Sequence, residues 1–270
     1  YRAPGELESE LTEMDECMPH YYKITGSHGQ GAETIMHAEA AFMQGRFTDA
    51  HIALERAYAQ IEGNGQENMA LCCDFLARRL SLFTDIGQRA KLEKRRERLL
   101  AHHNVSWLNL WNAAAAYHHA LLGSTDSIPE AYRRHRLFTV RTLAPGKPMI
   151  EMIENQVYLA QGEYAHVIGR SEGLLTQCEA MHYALVALHI RIQTAAAYEM
   201  LGKHGEARAL LERALADAEP DGFALPFAEN FRYLEPLLTE RLQDGLTGRI
   251  VRLGGLAGQR RAAAERCSPR

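Results

Sequence analysis

The feature that most constrains this 270-residue sequence is a recurrence. Gly45 is followed by Ala50 and Ala57, Gly162 by Val167 and Leu174, and Gly202 by Ala207 and Ala214, at the same offsets each time. Small or modest side chains at fixed offsets are what two helices require where they cross closely, and a glycine ahead of them suits the turn between the two. Units of this kind repeating about every 40 residues are the signature of a helical solenoid. Between Gly45 and Gly162 there is room for about three units, and Gly87 and Gly123 stand near the expected junctions. Five helical hairpins are expected.

Local patterning agrees. In EARALLERALADAEP, Ala207, Leu210, Leu211, Ala214, Leu215 and Ala218 share one stripe, Glu206, Arg208, Glu212 and Arg213 lie opposite, and Pro220 ends the helix. The preceding ALVALHIRIQTAAAYEML places Leu185, Leu188, Ile192, Ala195 and Ala196 on one face, with Gly202 as its C-terminal cap. Strand-like alternation is scarce. Ser127 and Glu130 form a candidate capping box, with Pro129 in the first turn. Pro236 either kinks the last helix or starts a new one. An N-terminal helix around 6–24, a glycine-rich loop GSHGQG at 26–31 and a C-terminal region around 225–265 flank the array as caps, because end units have no neighbour to cover them. The expected fold is therefore all-α: a right-handed superhelical solenoid of antiparallel helix pairs, about 12–13 helices. Residues 1–240 form the repeat domain and 241–270 a C-terminal helix and the start of a linker.

Charge and composition narrow the function. A net charge of −4 gives no global attraction to phosphate backbones or anionic membranes, so nucleic acid and membrane are not expected partners of this segment. The longest apolar runs, such as ALVAL at 184–188, fall far short of a membrane span, and the acidic ELESELTEMDE at 6–16 is unlike a secretory signal. Five cysteines without a C-x-x-C spacing suggest neither a disulfide framework nor a zinc site, and a reducing cytoplasm is expected. The first residue is Tyr1 and the tail is basic and rich in small residues, so the chain reads as a piece of a longer protein.

The order EAAFMQGRFTDA, LLGSTDSIPEAY, YLAQGEYAHVIG, AAAYEMLGKHGEARALLERAL and EPDGFALPFAENFRYLEPLL resembles the MalT-like, tetratricopeptide-like helical-repeat region of LuxR-family bacterial transcription regulators, over about residues 20–240. The resemblance implies a sensor arm between a nucleotide-binding switch domain and a helix-turn-helix, neither of which lies in this sequence. Val167 and Leu174 depart from the tetratricopeptide pattern, which has alanines there. No G-x-x-x-x-G-K-[ST] occurs, and Gly146-Lys147 and Gly202-Lys203 lack its other parts, so ATP hydrolysis is not expected.

Catalytic constellations are likewise missing from the sequence: there is no H-E-x-x-H and no G-x-S-x-G, so the chain is read as a non-enzyme without cofactor or metal. His102-His103 and His118-His119 are adjacent pairs whose rings point about 100° apart on a helix, poor geometry for shared ligation. The basic run at 88–103 contains Glu93 and Glu97 at salt-pairing spacing and reads as a solvated face; Arg133, Arg134, Arg136 and Arg141 form a second basic group. Trp107, Trp111 and Tyr117 read as a core stripe.

If the first helix of each unit lines a concave groove, projecting the tetratricopeptide register puts Glu39, Phe42, Asp74, Ser81, Tyr117, Gln156, His189 and Glu199 on it as candidate binding residues. The expected partner is a small-molecule effector or a peptide or protein segment, with the other domains of the full-length regulator responding. The rival reading is an oligomerisation or scaffold module with no small-molecule ligand, using Phe223, Phe227 and Phe231 as an apolar patch for a homo-oligomer. An enzyme with an unrecognised helical site is a third.

Overall fold

The computed structural model describes residues 1–62, 65–85, 89–136, 146–240 and 245–267. Among the described residues the chain is all-helical, without a strand. The helices are α1 (Leu7–Thr25), α2 (Ala32–Met43), α3 (Phe47–Ile61), α4 (Glu67–Leu80), α5 (Arg89–Ala101), α6 (Val105–Leu122), α7 (Glu130–Arg133), α8 (Lys147–Gln161), α9 (Tyr164–Ala180), α10 (Ala184–Met200), α11 (His204–Ala218), α12 (Leu225–Glu229), α13 (Phe231–Thr239) and α14 (Leu246–Cys267). Among the described residues fourteen helices stand where 12–13 were expected, because the C-terminal region divides into three and α7 is a single turn. No described helix is long and apolar enough to cross a membrane.

The recurring glycines act through backbone conformation. Gly45, Gly123, Gly162 and Gly202 follow α2, α6, α8 and α10 with φ between 72° and 80°, the left-handed region where a side chain costs about 1 kcal/mol. A Cβ at Gly162 or Gly202 would meet nothing within 4 Å, so crowding does not select glycine there. Gly87 lies outside the described residues. The positions that follow behave as expected: Ala50, Ala57, Val167, Ala207 and Ala214 are wholly buried and Leu174 nearly so. α9, which carries Val167 and Leu174, packs against both α8 and α10.

Other signals have mixed outcomes. Pro220 stands just past the end of α11, and Gly202 follows α10 in the left-handed conformation. Pro236 falls inside α13. The capping box does not form: Ser127 belongs to a short 3-10 turn, and α7 begins after Pro129 without a side-chain cap.

The packing order closes on itself. α2, α4, α6, α8 and α10 touch in succession, and α12 touches both α10 and α2. α3, α9 and α11 flank these inner helices on the other side of each hairpin, and α5 packs on α6. The closing contacts are specific. Ala224 N–H donates to the Met43 carbonyl (2.9 Å) and Gln44 Nε2 to the Asp221 carbonyl (3.0 Å). Asp221 also accepts from the Tyr1 hydroxyl and from the backbone N–H of Gly5 and Leu7, while Ala184 N–H donates to the Tyr1 carbonyl. The first hairpin, the fifth and both ends of the array thus meet around Asp221.

Phe223, Phe227 and Phe231 are buried in this closure, which corrects their reading as a self-association patch: their apolar area is already removed from water within one chain. α14 lies over α12 and α13, with Ile250, Leu253 and Ala257 buried. At Gly254 a Cβ would stand 2.2 Å from Phe231 Cγ, so this glycine exists to admit the aromatic ring.

Candidate functional site

Along α2, Glu39, Phe42 and Met43 share one face; along α4, Cys72, Phe75 and Arg79 do the same. Both faces look onto the Arg79 guanidinium, whose Cζ is 4.9 Å from the Phe42 ring centre and 5.5 Å from that of Phe75. Arg79 Nε donates to Glu229 Oε1 (2.7 Å) and Nη2 to Oε2 (3.0 Å), a two-pronged pair that is almost completely buried. The Tyr117 hydroxyl donates to Glu229 Oε2 (2.9 Å), and His189 Nδ1 lies 3.5 Å from that hydroxyl.

Burial would lower the Arg79 pKa, but the Glu229 carboxylate outweighs it and the guanidinium stays charged. Burial, reinforced by Glu229, holds the Tyr117 hydroxyl far above its ordinary pKa. Burial, with Arg79 adding to it, holds His189 far below its own. The centre is therefore one compensated ion pair flanked by a neutral phenol and a neutral imidazole.

Asn230 is met separately by buried amides. Gln156 Nε2 donates to Asn230 Oδ1 (3.0 Å), and Gln193 Nε2 donates to Gln156 Oε1 (3.0 Å) and to the Met152 carbonyl (3.0 Å). Asn230 Nδ2 in turn donates to the Pro226 carbonyl. Two consecutive polar residues of the C-terminal segment are thus held by two distinct polar sets on the inner helices.

This corrects the expectation of an open groove. Tyr117, Gln156 and His189 do converge, with Phe42 beside them, but on Glu229 and Asn230 of the same chain. The remaining candidates go elsewhere. Asp74 is buried between Tyr58, whose hydroxyl donates to it (2.8 Å), and Arg95 of α5. Ser81 donates to the Arg78 carbonyl, and Glu199 sits 2.9 Å from His204 Nδ1 at the end of its hairpin. Sequence reasoning missed Arg79, Gln193, Glu229 and Asn230. Arg79 stands one helical stripe from Phe75, so the register projection could have found it; Glu229 and Asn230 lie in AENF, where no periodicity marks them.

One face of the inner wall stays accessible. Glu39 is half-buried and Cys72 exposed, one turn and two turns respectively before the Met43 and Arg79 level. Even so, burial raises the Glu39 pKa, with Arg79 opposing, and pushes the Cys72 thiol up to about 12, with the charges of Glu39 and Asp74 adding. Phe75, half-buried and edge-on to Tyr117 at 5.6 Å, lies beside the ion pair, its ring centre 5.5 Å from Arg79 Cζ. Among the described residues Glu39 has no ion pair and no hydrogen bond.

Other suggestive groups are satisfied locally. On α5, Lys91, Arg95 and Arg98 pair with Glu55, Glu67 and Asp74 of α3 and α4, in place of the expected pairing within the helix. Trp111 faces α5 and the Arg78 guanidinium, whereas Tyr117 faces inward, so the aromatic residues of α6 do not form one stripe. His118 Nδ1 lies 3.0 Å from the Arg78 carbonyl. Arg141 lies outside the described residues. At the closure, a cavity of about 510 Å³ is lined by Tyr1, Arg2, Arg191 and Asp217 among others, but Arg191 is already paired with Asp217 and Arg2 with Glu10 and Glu13. No protein-family model matches the sequence, and a comparison with curated proteins finds no significant match.

Proposed function

We propose that this chain is the sensor and interaction segment of a LuxR-family bacterial transcription regulator, working in the cytoplasm without catalysis. Its inner face takes up an effector or peptide segment on the side where Glu39 and Cys72 reach solvent. The finer architecture we assign to it is a right-handed superhelix of helix pairs drawn into a closed turn. The observation that carries the reading is the buried contact of Arg79 and Tyr117 with Glu229: side chains of the inner helices α4 and α6 anchor α12, on which α14 rests.

A ligand that shifts Phe75 or Arg79 changes the seat of α12, and hence the packing of α14 and of whatever follows it. The switching energy is the difference in ligand affinity between the two seats, and a ligand with equal affinity for both moves nothing. The DNA-binding and nucleotide-binding functions belong to other domains of the full-length regulator. The scaffold alternative loses its apolar patch to the core.

The test is calorimetry against metabolites and short peptides, followed by hydrogen exchange over residues 225–267 with any saturating ligand. The reading predicts saturable binding and altered protection in α12 and α14. Absence of saturable binding, or binding that leaves those helices unchanged, contradicts it.

A further inference from the structure

We propose that the cavity between α9, α10 and α11 binds a short peptide of about three residues, with an ammonium at one end, a carboxylate at the other and apolar side chains between. Helical stripes make its walls. Glu172, Leu175 and Glu179 along α9, and Leu210 and Arg213 along α11, stand at the three- and four-residue spacing of one helix face, and with Leu188 of α10 they line a single space of about 510 Å³. That volume lies within the range of small-ligand sites. Charge is divided between the walls. Arg191 is paired with Asp217, but among the described residues Glu172 and Glu179 on α9 and Arg213 on α11 have no ion pair. The α9 wall therefore offers free carboxylates and the α11 wall a free guanidinium. A ligand with one charge satisfies one wall; a ligand charged oppositely at its two ends satisfies both.

Distance sets the length of the ligand. α9 and α11 each pack on α10, and packed helix axes stand about 8–10 Å apart, so the walls are separated by up to about 16–20 Å, less the reach of their side chains. A single amino acid carries both charged groups on one carbon and is too short to bridge them, whereas three extended residues span about 10 Å. Leu175, Leu188 and Leu210, one from each helix, give the middle of such a peptide apolar surface. The cavity already has a peptide segment as a neighbour: Tyr1, Arg2 and Pro4 line it too, and the Tyr1 carbonyl accepts from the N–H of Ala184, the first residue of α10 (3.1 Å). Neither Glu39 nor Cys72 lines this cavity, so the proposal goes beyond the effector reading and does not depend on it.

The test is a calorimetric titration of the whole chain at neutral pH and constant ionic strength. The probes are trileucine with both ends free, its N-acetylated form and its C-terminal amide. The variants are Arg213→Gln, the double change Glu172→Gln with Glu179→Gln, and Thr176→Trp, which fills the cavity from an exposed position on its lining and leaves the charges in place. All four substituted side chains are exposed, and circular dichroism melts establish that each variant is folded. The expected result is saturable binding of trileucine to the parent chain, weakened on the order of tenfold by blocking either end. Arg213→Gln should abolish the preference for the free carboxylate, the double variant the preference for the free ammonium, and Thr176→Trp should weaken all three probes. No trileucine binding, or equal binding of the blocked forms to the parent chain, overturns the ligand class. Undiminished binding by Thr176→Trp, or end preferences that survive in the charge variants, overturns the cavity as the site. Should another compound bind and alter hydrogen exchange in α12 and α14 while trileucine does not bind, this proposal falls and the effector reading stands.

Discussion

Arg79 and Glu229 are 150 residues apart in the chain and 2.7 Å apart in space, with neither side chain open to water. Removing one partner leaves a buried charge without compensation. Glu229→Ala is expected to cost about 3–5 kcal/mol, whereas the paired change Arg79→Met with Glu229→Leu costs far less, since an apolar pair needs no desolvation. Urea unfolding followed by helical circular dichroism measures both. A double variant as unstable as the single one would show that the charges are stabilising for their own sake.

Glu39 has the opposite signature. Its folded pKa is raised above the ordinary value of 4.5, chiefly by burial, so its ionised form destabilises the fold at neutral pH. The penalty is present above the folded pKa and disappears as pH falls through it toward 4.5. Glu39→Gln should therefore raise the melting temperature at pH 7.5 by on the order of a few degrees, and the gain should vanish near pH 4. A loss of stability at pH 7.5 would mean that the carboxylate has a stabilising partner.

His118 works in the other direction. Burial pushes its pKa down from 6.5 to about 3, with His119 and Arg78 adding to the effect. Because the unfolded chain binds the proton first, stability is retained above pH 6.5 and lost progressively as pH falls from there toward about 3. In His118→Gln the slope of stability against pH over that window should be shallower. Denaturant midpoints at half-unit intervals of pH would reveal it, and an unchanged slope would place the acid sensitivity elsewhere.

The helical hairpins were legible because their causes are local. The stripe from Ala207 to Ala218 and the left-handed glycine at 202 are consequences of neighbours a few residues apart. Closure was not legible, because it depends on Ala224 reaching Met43 and Asp221 reaching Tyr1, contacts that leave no periodic trace. The groove candidates show the same division. Tyr117, Gln156 and His189, chosen by a periodic register, stand together on the inner helices, but nothing local announced that Glu229 and Asn230 would meet them. Asp74 was drawn to Arg95, a partner supplied by the following helix, α5.

Two glycines separate backbone from packing effects. Gly162 has φ +80° and open space around it, so Gly162→Ala should cost about 1 kcal/mol and nothing more. Gly254 is helical, and its Cβ would collide with Phe231, so Gly254→Ala should cost about 1–3 kcal/mol and loosen α14. Chemical denaturation gives both numbers, and hydrogen exchange over residues 246–262 separates the two mechanisms. Equal costs with α14 unaffected would argue against its docking on Phe231.

The central claim is that the array closes on its own C-terminal segment. Gln44 and Asp221 are hydrogen-bonded across that closure, and Arg46 and Glu219 each lie two residues from this pair and are exposed. Spin labels at 46 and 219, in a background with the other reactive cysteines replaced, measure the closure by double electron–electron resonance. The account predicts one narrow distribution at about 25 Å or less, allowing two residues of chain and the label on each side. A broad distribution centred well beyond that distance would mean an open array and an empty groove, and would contradict it.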